Sequence, residues 1–359
     1  MKIAFVVGDF PALSETFIVN QIIGLIQHGY QVDIYARHSR NEPKIHPDIY
    51  RYGLLERTYY APFKPEKQTY DIIHCHFGPY GLDGLRLLEL GRLQGKLITS
   101  FYGFDVTLYP LKFGNDIYQH LFQIGDCFIG ISSFIVDKAL ALGCPKDKII
   151  KLPIGIDTLK YSFYPRKTRS DEPIKVLTVA RLVEKKGIEY SLKAVAKTIS
   201  NYPKLEYNII GDGYLRESIQ KLIQELGLSN QVKLLGWMNQ DEIIDFYYNA
   251  HIFILASVTA ANGDQEGQGL VLQEAQATGL PVLSTIHNGI PDGVLDGTSG
   301  FLVAEKDVDA LAAKLNYLIE NPRSRIEMGK AGRKFIENYY DNKKITEQLI
   351  KLYQQILKV

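Results

Sequence analysis

The feature that most constrains this chain is an alternation kept up along nearly its whole length. Short apolar, β-branched runs are separated by longer segments of helical period. A parallel sheet joined by crossover helices produces this pattern, because its strands are buried on both faces and each return to the sheet needs a dozen or more residues. The runs fall at 3–7, 31–36, 71–75, 96–101, 126–131 and 148–152, then at 174–180, 206–210, 232–235, 252–255, 281–284 and 301–303. The chain therefore reads as α/β. Between the two sets, Pro153-Ile154-Gly155-Ile156-Asp157 and the polar stretch from Pro165 to Pro173 break the pattern, so we expect two open sheets joined by an interdomain linker. A length of 359 residues exceeds what one core usually supports, which also favours two domains. The first helix is expected to begin at Ser14, whose hydroxyl would cap it, with Glu15 in its electropositive first turn. Two amphipathic segments, about 322–338 and 343–357, close the chain.

Charge excludes several classes of function. Lys plus Arg number 41 against 40 Asp plus Glu, and neither half is basic, so there is no field to attract nucleic acid. No stretch approaches the roughly 20 apolar residues of a spanning helix, so any contact with the inner membrane would be peripheral. The N-terminus leads from a short apolar run into Gly8-Asp9 without a signal-peptide cleavage pattern. Cys75, Cys127 and Cys144 lack metal-ligand spacing and read as reduced, buried thiols, which places the protein in the cytoplasm.

Chemistry concentrates in the second half. Glu266 and Glu274 are separated by seven residues, in Glu266-Gly267-Gln268-Gly269-Leu270-Val271-Leu272-Gln273-Glu274. If a helix begins near Gly269, Glu274 projects from it more than a turn in, and Glu266 lies in the glycine-bearing loop before it. Glycines admit a ligand close to the backbone, and the helix start offers unpaired amides to a phosphate. A sugar nucleotide suits both, with its hydroxyls on the carboxylates and its diphosphate on the amides. The alternative is a solvated helix end. Arg181 follows the run at 174–180 and Lys186 precedes Gly187 at the next helix start, where ligands of open sheets bind. Two cations there could hold a diphosphate, each charge-assisted bond giving roughly 1.5–3 kcal/mol. They could also be surface charges, and Lys185 reads that way.

Together these segments resemble family-four retaining glycosyltransferases of the GT-B fold. The resemblance is carried by Val179-Ala180-Arg181-Leu182-Val183-Glu184-Lys185-Lys186-Gly187, Ile210-Gly211-Asp212-Gly213, Glu266 through Pro281, Pro153 through Asp157, and Gly289-Ile290-Pro291. The opening Phe10-Pro11-Ala12-Leu13-Ser14-Glu15-Thr16-Phe17 and Ser257-Val258-Thr259-Ala260 look like the branch that builds bacterial exopolysaccharides such as colanic acid. The resemblance implies two facing Rossmann-like domains with a cleft between them. Residues 1–160, completed by a final helix at about 342–359, would form the acceptor domain, and residues 174–338 the donor domain.

By the same resemblance Arg181, Lys186 and Glu266 would be catalytic, the cations gripping the diphosphate and Glu266 touching the donor sugar. Glu274 would bind the ribose, with Gly267, Gln268, Gly269 and Leu270 near the phosphates, and Gly236, Trp237 and Met238 by the base. The donor would be a UDP- or GDP-sugar, used as substrate without cofactor or metal. The acceptor would be a saccharide or lipid-linked saccharide, selected by loops at about 8–16 and 77–82. Ser14, Glu15, His76, Tyr102 and Asp105 are the candidates on that side. Where the family presents His-Gly-any-Asp, this chain has Tyr102-Gly103-Phe104-Asp105, and a phenol cannot become an imidazolium.

Other signals are weaker. His74 and His76 share one face of a strand, but no third metal ligand accompanies them; His76 equally suits a strand-end histidine bonded to backbone. Gly211-Asp212-Gly213-Tyr214-Leu215-Arg216 puts Arg216 where a dinucleotide fingerprint needs its third glycine. The rival functions are a nucleotide-sugar epimerase of the same shape, a catalytically silent sugar-nucleotide binder and a glycoside phosphorylase.

Overall fold

The computed structural model describes residues 1–12, 15–40, 45–63, 67–166 and 172–358. It divides into two compact units, one of Met1–Gly155 with Asn342–Val359 and the other of Ile156–Asp341. Residues 156–166 belong to the second unit, for a local reason. Tyr161 is buried there, and the Arg166 guanidinium donates to the Tyr164 carbonyl and to those of Tyr247, Ala250 and Thr278, the last three at the C-terminal ends of two helices. Residues 167–171 of the expected linker lie outside the described residues.

The first unit carries a seven-stranded parallel sheet: β1 Lys2–Phe10, β2 Gln31–Ser39, β3 Thr58–Tyr60, β4 Gln68–His76, β5 Leu93–Phe101, β6 Cys127–Gly130 and β7 Ile149–Lys151, in the order β3-β2-β1-β4-β5-β6-β7. Alternation along β1 sends Ile3, Phe5 and Val7 to one core and Ala4 and Val6 to the other. The first core is roofed by helices Thr16–Gln27 and Asn342–Ile356, which pack on each other. The last helix is also tied by a polar bond, because the Tyr353 hydroxyl lies 2.6 Å from His74 Nδ1.

The second unit repeats the plan with β8 Lys175–Val179, β9 Glu206–Ile210, β10 Val232–Gly236, β11 Ile252–Leu255, β12 Val282–Thr285 and β13 Gly300–Val303, ordered β10-β9-β8-β11-β12-β13. Both sheets therefore start in the middle, run to one edge, and return to build the other. The reversal falls between β1 and β4 in one unit and between β8 and β11 in the other. Such points leave a crevice beyond the carboxyl ends of the strands, where ligands of this architecture bind.

Two sequence expectations change. The helix expected at Ser14 begins at Thr16, and Glu15 occupies its N-cap position without a side-chain cap bond; Ser14 itself lies outside the described residues. The edge strand β3 was not expected, since three residues of one sequence, Thr58-Tyr59-Tyr60, carry no periodicity.

At the second reversal the backbone is compressed. Gly187 has φ +58, and a Cβ there would stand 1.7 Å from the Ala256 carbonyl oxygen. Gly187→Ala should therefore cost about 2–4 kcal/mol, from the left-handed backbone plus displacement of the chain after β11. Urea unfolding of the purified variant measures this, and a change below about 0.5 kcal/mol, the size of an ordinary surface substitution, would contradict it.

Candidate functional site

In the second unit the sequence-derived candidates gather beyond the carboxyl ends of the strands. Arg181 through Gly187 follow β8, Gly236 ends β10, and the loop after β11 runs through Glu266 to helix Leu270–Ala277. Gly269 sits just before that helix at φ +78, so its left-handed turn swings the loop into the helix start. Gly267 and Gln268 are buried beside it, and Leu270 is half-buried.

Lys186 and Glu266 form an ion pair, with side chains only 12% and 13% exposed. Burial alone would push the Glu266 carboxyl up, but the charges of Lys186 and Lys185 and the hydrogen bond from Lys186 outweigh it and hold it at about 2. Glu266 is thus a fixed carboxylate. Arg181 is exposed on the same crevice and has no ion pair among the described residues.

Lys185 is not the surface charge that its sequence suggested. Its side chain is 12% exposed and donates to Asp264 Oδ1 at 3.0 Å and to the Gln265 carbonyl at 3.1 Å. The Val258 N–H donates to the Lys185 carbonyl, and the Ala261 N–H to Glu184 Oε1. These bonds staple the loop before Glu266 to the segment after β8.

Glu274 belongs to a separate cluster. The Tyr247 hydroxyl donates to its Oε2 at 2.9 Å, and Tyr161 and Lys160 stand by it. Burial lifts the Glu274 carboxyl to about 7, and hydrogen bonds from Tyr247 and Tyr161 and the charge of Lys160 offset only part of this. Neither tyrosine had been singled out from the sequence. Gly236 turns at φ +79 where β10 ends, Met238 packs half-buried on the core, and Trp237 is 51% exposed, two strands away from the reversal.

In the first unit, His76 ends β4 and is fully buried, stacked on Phe5 and His74. Its Nδ1 lies 2.6 Å from the Tyr102 hydroxyl rather than against backbone, and its Nε2 has no hydrogen-bond partner among the described residues. Burial, then His74, pushes its imidazole well below the ordinary range, so it is neutral. His74 is spent on Tyr353 and Ser100, which removes a paired-histidine metal site. Asp105 is buried and takes N–H bonds from Tyr102, Gly103 and Gly78, so it braces the turn after β5 and points none of these acceptors outward. Burial still lifts it to about 6 against those bonds. Glu15 is lifted to about 7 by burial and by Asp9, with Arg40 opposing.

Among the described residues no group of three or more His, Cys, Asp or Glu could hold a metal ion, and no helix is long and apolar enough to cross a membrane. Cys75, Cys127 and Cys144 are free and buried.

Two reversed parallel sheets, each with polar groups at the carboxyl ends of its strands, define the class of α/β proteins with two Rossmann-like domains, and comparison with known proteins narrows it. Residues 162–335 match the family described as Glycosyl transferases group 1, and residues 14–160 match Glycosyltransferase Family 4. The amylovoran biosynthesis glycosyltransferase AmsK of Erwinia amylovora is 31% identical over 99% of this chain and its own full length. WcaL of Escherichia coli K12, named as a colanic acid biosynthesis glycosyltransferase, is 30% identical over the same shares. Anabaena HepE, solved with UDP and glucose, superposes with a TM-score of 0.79 at 18% identity, over 99% of this chain and 100% of that one, which shows the same GT-B fold. This chain belongs to the family-four, group 1 glycosyltransferases.

The Glu274 environment makes a signed prediction. Its folded value of about 7 lies above the ordinary 4.5, so ionising it costs folded stability. The cost is absent below about pH 4.5 and complete above about pH 7. Glu274→Gln should therefore raise Tm relative to wild type more at pH 8 than at pH 4. Scanning calorimetry giving the same difference at both pH values would contradict the raised value.

Proposed function

We propose that the enzyme moves a hexose-type sugar from a UDP- or GDP-sugar to a saccharide or lipid-linked saccharide, with retention and without a metal, in exopolysaccharide, capsule or lipopolysaccharide synthesis. The second unit would be the donor domain and the first the acceptor domain. The observation that carries the reading is the half-buried Lys186–Glu266 pair at the β8/β11 reversal. Supporting it are the AmsK and WcaL names and the UDP held by HepE.

At the crevice Lys185 pairs with Asp264 and Lys186 with Glu266. An arriving diphosphate would meet exposed Arg181 first, then share Lys186 with Glu266 while its oxygens face the start of helix Leu270–Ala277. Glu266, fixed as a carboxylate, would accept hydrogen bonds from the sugar, and Glu274 from the ribose. The acceptor hydroxyl would attack the anomeric carbon on the face the diphosphate leaves. The C–O bond to the diphosphate breaks, the new glycosidic bond forms, and the departing phosphate oxygen takes the hydroxyl proton. No carboxylate base is needed. The residues position the reactants and stabilise charge that grows on the phosphate. Glu15, His76 and Tyr102 would line the acceptor side, and peripheral membrane contact would follow from a lipid-linked acceptor. An epimerase is not favoured, because both matched families are glycosyltransferases and Glu266 is too acidic to serve as a proton donor.

Lys186→Ala should lower sugar transfer by two to three powers of ten, roughly 3–4 kcal/mol of lost charge stabilisation, in an assay offering UDP- and GDP-sugars with a saccharide acceptor. Unchanged turnover would remove its role. Glu274→Ala should weaken donor binding in calorimetry while leaving the anomeric configuration of the product, read by NMR, the same as the donor's. An inverted product would rule out the front-face displacement.

A further inference from the structure

Beyond β12 and β13 lies a pair of side chains that the proposed chemistry does not use. His287 follows β12 and is completely buried; Glu305 follows β13. His287 Nδ1 lies 2.5 Å from Glu305 Oε1, and the Glu266 backbone N–H donates to His287 Nε2 at 3.1 Å. A backbone N–H can only donate, so Nε2 must be the bare nitrogen, and Nδ1, facing a carboxylate, must carry the proton. The Asn288 side-chain nitrogen, 2.9 Å from Nε2, approaches the same edge. Glu305 is anchored in turn: its second oxygen accepts the Thr259 N–H at 2.9 Å, at the opposite end of the loop that carries Glu266.

We propose that His287, oriented by Glu305, is a positioning residue for the reaction: through Nε2 it fixes the backbone at Glu266 and so the carboxylate against the donor sugar. The inference rests on the reading of Glu266 given above. The arrangement runs Glu305 carboxylate, His287 N–H, bare Nε2, Glu266 N–H, so each link fixes the next. Lys185 holds the same loop from the β8 side through Asp264 and the Gln265 carbonyl. Glu266 is thereby held from both sides, by Lys185 at the preceding residues and by His287 at its own amide. Placement matters because a displacement of about 1 Å in a reacting constellation can lower turnover about a hundredfold.

The test uses the full chain. Long-range proton–nitrogen NMR on histidine-labelled protein should show His287 protonated at Nδ1 and bare at Nε2, and a proton on Nε2 would overturn the proposal. His287→Ala should speed hydrogen exchange at the Glu266 amide and lower kcat for sugar transfer roughly ten- to a hundredfold. Calorimetric Kd values for UDP and GDP should change less than about twofold, since neither probe carries the sugar that Glu266 contacts. His287→Gln, whose side-chain oxygen can accept the same N–H, should restore most of the loss. Wild-type kcat in His287→Ala, with Glu266→Ala inactive, would overturn the positioning role alone. Should Glu266→Ala itself retain wild-type kcat, the reading of Glu266 fails and the inference falls with it, whatever the tautomer.

Discussion

The rest of the site depends on the contact between the turn after β8 and the loop after β11. Gly187, which has no side chain, lets the backbone meet the Ala256 carbonyl, and that approach places Lys185 and Lys186 beside Asp264 and Glu266. Two cations and two carboxylates close together in a half-buried crevice need one another, since each alone would carry an uncompensated desolvation cost. Their mutual neutralisation stabilises the half-buried crevice, and Arg181 beside it is exposed. The same contact thus explains the local packing, the acidity of Glu266 and the arrangement offered to a diphosphate.

The two glutamates that look alike in sequence are set apart by their surroundings. Glu266 sits against lysines and stays ionised; Glu274 sits against Tyr161 and Tyr247 and holds its proton up to near neutrality. A carboxylate at about 2 suits steady electrostatic contact with a sugar. One at about 7 responds to whatever hydroxyl or charge arrives, so binding there is linked to proton release.

The strand plan was legible because β-branched runs buried on two faces leave a mark that few other structures leave. Glu206–Ile210 and Ile252–Leu255 coincide with their sequence runs. The groupings visible in sequence are those of neighbours, as with Arg181 to Gly187 after β8 and Glu266 to Glu274 at the start of helix Leu270–Ala277. What escaped are partners supplied by distant elements. Nothing around His287 or Glu305 marks them as a pair, and Tyr161 and Tyr247 meet Glu274 only once three separate segments have packed. Lys185 is a further case: Lys186 beside it is the same residue type, and only the fold shows that both side chains are half-buried. The Asp105 carboxylate likewise takes partners that no local pattern marks, since it accepts from backbone amides of its own turn and of the helix Gly78–Glu89.

In the proposed reaction, donor phosphate charge is received at the β8/β11 reversal of the second unit. A crystal structure of the wild-type chain soaked with an intact UDP- or GDP-sugar tests it most directly. The diphosphate is expected within hydrogen-bonding distance of Lys186 and Arg181, the sugar at Glu266 and the ribose at Glu274. A sugar nucleotide bound elsewhere, with the Lys186–Glu266 pair untouched, would contradict it.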